Sequence, residues 1–311
     1  MAIPEKDLTL HPCFNVEAAG SCGRVHLPVA PKCNIMCNYC NRKYDCVNES
    51  RPGVTSAVLT PAQAVRYMEQ VVEQEPRITV AGIAGPGDPL ANPTETLETM
   101  RRLKEKFPDI IFCLSTNGLN LPKYLDELLE VYVSHVTVTV NAIDPEIGMK
   151  IYKWVRDDKI IYRGYKAAEL LLERQLAGIE GLKERGVIVK VNTIIVPGIN
   201  SGHVPDIARK MSELDVDIMN CIPICPVEGT SFADLEEPEK DEVKKIQALA
   251  SKYLPQMKHC RRCRADAVGL LNEDRSSELS SCLNACSKLV LPVSESRPYV
   301  AVATREGMLV N

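Results

Sequence analysis

Cys33, Cys37 and Cys40 stand in a C-x3-C-x2-C arrangement that ordinary packing does not demand. Three thiolates from one tight loop can hold three irons of a four-iron four-sulfur cube, leaving the fourth iron open to a ligand that is not protein. An open iron is a reactive one. The same thiols could instead form a zinc site short of its fourth ligand, or be three separate buried cysteines, although the spacing matches cluster patterns better than zinc patterns. Six further soft or borderline ligands are spread along the chain: His11, Cys13, Cys46, Cys113, Cys260 and Cys263. Six such groups could hold two more cubes with three protein ligands each. Each also has a plainer reading. A bare C-x2-C such as Cys260-Arg261-Arg262-Cys263 serves zinc or thiol redox chemistry too, Cys113 between Phe112 and Leu114 reads as a core residue, and Cys46 taken alone is an ordinary thiol. Spacing assigns no role to Cys22, Cys221, Cys225, Cys282 or Cys286.

Polar groups suited to an organic ligand follow the apolar runs. Gly85-Pro86-Gly87-Asp88-Pro89 is a turn whose glycines would let backbone approach a ligand and whose carbonyls would accept hydrogen bonds from an amine. Ser115-Thr116-Asn117, Asn141 and Asn192 lie at or near the ends of later apolar runs and could bind ribose or carboxylate. Helix capping and turn formation are the competing roles for all of these.

The elements that must position these groups alternate. Val25–Ala30 reads as a strand, with the cysteine loop directly after it. Thr60-Pro61 caps and opens a helix to about Glu75. Strand and helix then recur: Ile78–Ile83 with 94–107, Ile110–Ser115 with 123–131, His135–Val140 with a helix from Pro145, a long helix 164–185, Val187–Val196 with 203–214, and Asp217–Ile224 with 238–253. Six strand–helix repeats argue for an α/β fold, a parallel sheet curved into a partial (β/α)6 TIM-like barrel with right-handed crossovers. Barrels place their chemistry at the strands' C-terminal ends, where the cysteine loop falls. Four Phe and one Trp leave the core to Val, Ile, Leu and Ala, as suits strands buried on both faces. The expected organisation is an N-terminal ligand-bearing arm (1–24), the barrel (25–253), a C-terminal cysteine-bearing extension (254–296) and a short tail (297–311) able to begin a strand at Tyr299–Ala303.

Composition limits the partners. With 37 basic and 41 acidic residues the formal charge is -4, so no broad cationic surface for nucleic acid is expected. No basic-then-apolar leader or membrane-length apolar run is visible, so the chain reads as soluble and cytoplasmic. Thirteen cysteines in a reducing compartment favour metal over disulfides.

The motif C-x3-C-x2-C, with the aromatic Tyr39 before its third cysteine, resembles that of radical S-adenosylmethionine (SAM) enzymes, and the glycine-rich turn one strand later fits their pattern. The likeness sharpens over longer blocks. His11-Pro12-Cys13-Phe14, Arg24 through Cys40, Glu49–Val54, Ala84–Asn92, Ser115–Gly118, Val140–Pro145 and Arg262–Leu271 together resemble the NifB family of nitrogenase cofactor maturases, across nearly the whole chain. The resemblance implies three [4Fe-4S] clusters. Cys33, Cys37 and Cys40 would hold the SAM-binding one, with Tyr39, Gly85, Gly87, Asp88, Ser115, Thr116, Asn117, Asn141 and Asn192 around SAM. His11, Cys46 and Cys113 would hold one auxiliary cluster and Cys13, Cys260 and Cys263 the other. It implies fusion of the two auxiliary clusters into an eight-iron, carbide-centred core, with SAM as methyl donor and radical source. Implied partners are cluster donors, cofactor carrier or scaffold proteins, and a low-potential electron donor. The chain departs from the family at Asp7, where a Glu is expected, and stops within what resembles the first strand of a carrier domain. A peptide-modifying radical enzyme with electron-transferring auxiliary clusters, and a non-catalytic iron–sulfur carrier, are the competing readings.

Overall fold

A computed structural model describes residues 8–48 and 53–291, together with a two-residue antiparallel ladder between Val302–Ala303 and Leu309–Val310. Asp7, residues 49–52 and the rest of the tail 297–311 lie outside the described residues.

The chain enters β1 (Gly23–His26), leaves through the short β2 (Ile35–Cys37), and continues into α1 (Pro61–Gln74), β3 (Ile78–Ile83), α2 (Pro93–Lys106), β4 (Ile111–Thr116), α3 (Leu125–Glu130) and β5 (Val133–Thr139). Then come α4 (Pro145–Ile151), a hairpin of β6 (Tyr152–Asp157) and β7 (Ile160–Tyr162), α5 (Gly164–Glu184), β8 (Ile188–Ile195), α6 (Val204–Glu213), β9 (Ile218–Pro223) and α7 (Lys240–Ala250). The C-terminal part adds β10 (Val268–Leu270), β11 (Glu273–Asp274) and α8 (Ser276–Ser287). Six strands, β1, β3, β4, β5, β8 and β9, lie side by side in that order, all parallel. They form the half-barrel that the strand–helix alternation predicts.

Local chemistry explains the boundaries. Thr60 caps α1 in a reciprocal box with Gln63, and Pro61 takes the first helical position, where its missing N–H costs nothing. In β4, Phe112 and Leu114 are buried toward the helical layer while Cys113 and Ser115 alternate onto the concave face. The core is aliphatic, built from residues such as Val136, Val138, Val189, Val191, Ile207 and Met211.

Three features depart from the expected pattern. The first strand covers Gly23–His26 rather than Val25–Ala30, because Pro28 and Pro31 interrupt the ladder; Ala30 keeps one isolated bridge, to Pro86. The segment 152–162 is not part of a helix: β6 pairs with β2, so the cysteine loop itself belongs to a three-stranded sheet of β2, β6 and β7. The extension beyond Tyr253 is irregular to Ala267 and then regains elements, β10, β11 and α8. Met219 donates to Pro255 O and Met257 to Met219 O, sealing part of the β9 edge, while β10 pairs antiparallel with β1 at the opposite edge. α8 then packs on α1.

Candidate metal centre

Two neighbouring cavities open on the concave face, and Ala84 and Ser115 line both. The first is bounded by Cys33, Cys37, Tyr39, Cys40, Cys46, Gly87, Asp88, Ser115, Thr116 and Asn117. The loop that carries its thiols is held by backbone. Gly87 donates to Ala30 O at 2.6 Å and Asp88 to Lys32 O at 2.8 Å. A Cβ on Gly87 would sit 2.1 Å from Lys32 O, so this glycine serves chain–chain approach. Gly85, at φ +148°, packs on Ala265.

Around the thiols, several polar groups act through one another. Asp88 accepts from Leu90 N, Thr116 Oγ1 and Asn117 N, and burial raises its carboxyl pKa above the usual range. Asn117 Nδ2 reaches Asn34 Oδ1 at 2.7 Å and Cys33 Sγ at 3.8 Å. The Tyr39 hydroxyl donates to Asn48 and accepts from Asn141. Asn141 in turn accepts from Ile194 N and lines neither cavity; it braces the loop against β8. Ser115 Oγ is buried without a hydrogen-bond partner, which leaves it for a ligand.

The second cavity gathers His11, Cys13, Cys113, Cys260 and Cys263, residues from the two ends and the middle of the chain. Gly82 makes room for a thiol, since a Cβ there would lie 2.7 Å from Cys113 Sγ. His11 is 1% exposed and its Nε2 has no partner. Asn192 also lines this cavity and donates to Asn48 O. Cys46 is the exception among the six further residues expected to ligate: its side chain faces the first cavity, beside the loop cysteines.

These residues fit iron–sulfur clusters. Burial pushes Cys33 and Cys13 up to about 12 and Cys37 and Cys46 well above the ordinary thiol value. Such thiols become thiolates only when a metal replaces the proton. Fixed cations stand by: Arg42 beside Cys40, Cys33 and Cys46, and Arg24, 1% exposed, donating to Cys263 Sγ at 3.0 Å. Burial opposes the Arg24 charge, but Cys263, Cys13 and Asp274 outweigh it and raise its pKa. Burial keeps His11 well below its usual value, and holds His26 at about 4 and His135 at about 3, so these imidazoles are neutral and able to ligate at physiological pH.

Motif spacing does not single out Arg24, His26, His135 and Lys190, but strand alternation carries a signal for the three on the concave face. The register aligns His26, Gly82, Cys113 and His135 in one row and Ser115, Thr137 and Lys190 in the next. Polar residues at every second position of otherwise apolar strands mark the concave face.

The chain matches the family described as "Radical SAM superfamily" over residues 27–211. It is 54% identical over 301 residues to the FeMo cofactor biosynthesis protein NifB of Chlorobaculum tepidum, covering 97% of this chain and 71% of that one. The chain belongs to the NifB family. It is 48% identical to the NifB of Bradyrhizobium diazoefficiens, covering 87% of this chain and 55% of the relative, and 45% identical to that of Klebsiella pneumoniae, covering 93% and 60%. It thus spans less than two thirds of several NifB relatives. Among solved structures, the FeFe-hydrogenase maturase HydG from Carboxydothermus hydrogenoformans aligns with a TM-score of 0.51 at 17% identity, covering 75% of this chain and 52% of that one. Methylornithine synthase PylB aligns at 0.50 and 16%, covering 81% and 71%. These show the half-barrel fold. As a member of the NifB family and the radical SAM superfamily, the chain belongs to proteins that bind an iron–sulfur cluster and SAM. No helix among the described residues is long and apolar enough to cross a membrane.

Proposed function

We propose that this protein fuses two [4Fe-4S] clusters into the carbide-containing 8Fe-9S-C precursor of the nitrogenase cofactor. SAM is the methyl and carbide donor and also the source of the 5'-deoxyadenosyl radical. Bound at Cys33, Cys37 and Cys40, the resident cluster supplies the reductive cleavage of SAM. Everything else is done by positioning. Asp88 holds Asn117 against Asn34 and the Cys33 sulfur. Tyr39, clamped between Asn48 and Asn141, seals the loop from water, and Ser115 faces ligands on both sides.

One observation carries the reading: a second thiol- and imidazole-lined cavity shares the Ala84–Ser115 wall with the first. A methyl group delivered to a sulfide in that second cavity would remain within reach of a radical generated in the first. Cys13 interacts electrostatically with Cys263 and Cys260, which supports their sharing one substrate cluster. His11 and Cys113 would serve the other, with Cys46 reaching it from the side of the first cavity. Cluster donors, a carrier or scaffold protein and a low-potential electron donor are the partners this chemistry requires, in a cytoplasmic setting.

The test is anaerobic reconstitution with iron and sulfide counts, then SAM and reductant followed by EPR. Conversion of two four-iron signals into one larger species is the expected result. Clusters that persist unchanged while a peptide gains mass would sink it. Cys260→Ala, Cys263→Ala is expected to hold about four fewer irons.

A further inference from the structure

A third depression runs along the β9 edge, a cleft of about 510 Å³ between β9, α7 and the segment leading to Cys260. It has no part in the radical chemistry described above, yet it is continuous with it: Asn220, Met257 and Cys260 line both this cleft and the second cavity. Its charge departs from that of the whole chain. The formal charge is -4, but the cleft is lined by Lys244, Lys258 and Arg262 and by no Asp or Glu. The nearby Asp241 meets Lys244 at 3.0 Å from outside that lining. The shared wall carries an unsatisfied donor. Asn220 is 3% exposed and its Nδ2 has no hydrogen-bond partner. Arg262, at φ 52°, likewise has buried Nε and Nη2 atoms without partners. Buried donors without acceptors are uncommon unless a ligand or water completes them.

We infer that this cleft is the port through which anionic iron–sulfide cargo passes to and from the second cavity, received at its inner end by Asn220 and Cys260. The inference rests on the cluster-fusing reading above. The chemistry matches in sign and in hydrogen bonding. A thiolate-ligated four-iron cube is a compact dianion whose sulfides accept hydrogen bonds, and the cleft offers cations outside and unpaired N–H donors inside. Cys260 stands at the junction, where its sulfur can displace an exogenous thiolate from the arriving cube. The Cys260 proton leaves with the released thiol, and no electron moves.

The test mixes the full chain, bearing Cys33→Ala, Cys37→Ala and Cys40→Ala so that only the second cavity loads, with the synthetic ethanethiolate-ligated [4Fe-4S] dianion under anaerobic conditions. Uptake is followed by absorbance and iron count. Lys244→Glu with Lys258→Glu is expected to slow uptake about tenfold at low ionic strength, with the difference shrinking at about 0.5 M salt. The same reversal at the remote, exposed Lys153 and Lys166 is expected to change the rate less than twofold. Equal rates for the cleft variant and its parent overturn the port while leaving the cluster reading intact. Should adding Cys260→Ala and Cys263→Ala leave total iron uptake undiminished, the cluster reading itself fails and the port with it.

Discussion

Gly87 and Arg24 show how single residues hold this site in shape. A side chain on Gly87 has no place to go, because the obstacle 2.1 Å from its Cβ position is the backbone oxygen of Lys32. Gly87→Ala is therefore expected to displace the loop between Lys32 and Cys33, costing about 2–4 kcal/mol in denaturant unfolding and lowering iron at the three-cysteine site. Wild-type iron content and stability would contradict the close-approach argument. Arg24 donates to the carbonyl of Gly269, to Leu270 O at 3.0 Å and to Cys263 Sγ at 3.0 Å. Arg24→Met removes the cation but leaves those carbonyls and the sulfur buried, so a loss of about 3 kcal/mol is expected, read by thermal unfolding. The motif blocks made the thiols legible at this scale. They did not reveal Arg24, whose meaning depends on β10 lying beside β1.

At the scale of elements, a buried carboxylate ties the barrel to the C-terminal extension. Glu75, just past α1, accepts from Arg77 Nε and Nη2, each at 2.7 Å, and from Arg275 Nη1 at 3.3 Å. The Arg77 hydrogen bonds hold its carboxyl down at about 2, against 4.5 for a free Glu. A lowered carboxyl contributes stability that is complete above about pH 4.5 and disappears as pH falls toward 2. Glu75→Gln should accordingly lower stability at pH 7 by about 1 kcal/mol and flatten the acid limb of the stability curve between those pH values. A variant whose acid limb matches the wild type would remove Glu75 from that role. Strand–helix alternation was readable because apolar runs and capping residues are local signals. The β2–β6 pairing was not, since Ile35 and Val155 meet across more than a hundred residues of chain.

Across the whole molecule, the cysteine-bearing extension is also structural. β10 covers the outer edge of β1, and Leu279, Leu283 and Cys286 of α8 join the main core. A chain ending at residue 253 would leave the β1 edge open and the α8-facing side of α1 bare. It is expected to melt at least about 10 °C lower and to self-associate on size exclusion. A monomeric fragment of unchanged melting temperature would show the barrel to be independent of the extension.

By itself the sequence determined which thiols and imidazoles could ligate, the C-x3-C-x2-C loop and the order of strands and helices, because spacing and periodicity are properties of neighbours along the chain. Only the tertiary structure decided that His11, Cys13, Cys113, Cys260 and Cys263 share one cavity while Cys46 faces the other. It also decided that Tyr39, Asp88 and Asn141 brace the loop through hydrogen bonds to other protein groups. The physical reason is that these partners are set by sheet register and by chain crossing at the barrel's edges, where groups far apart in sequence must satisfy each other's buried donors and charges.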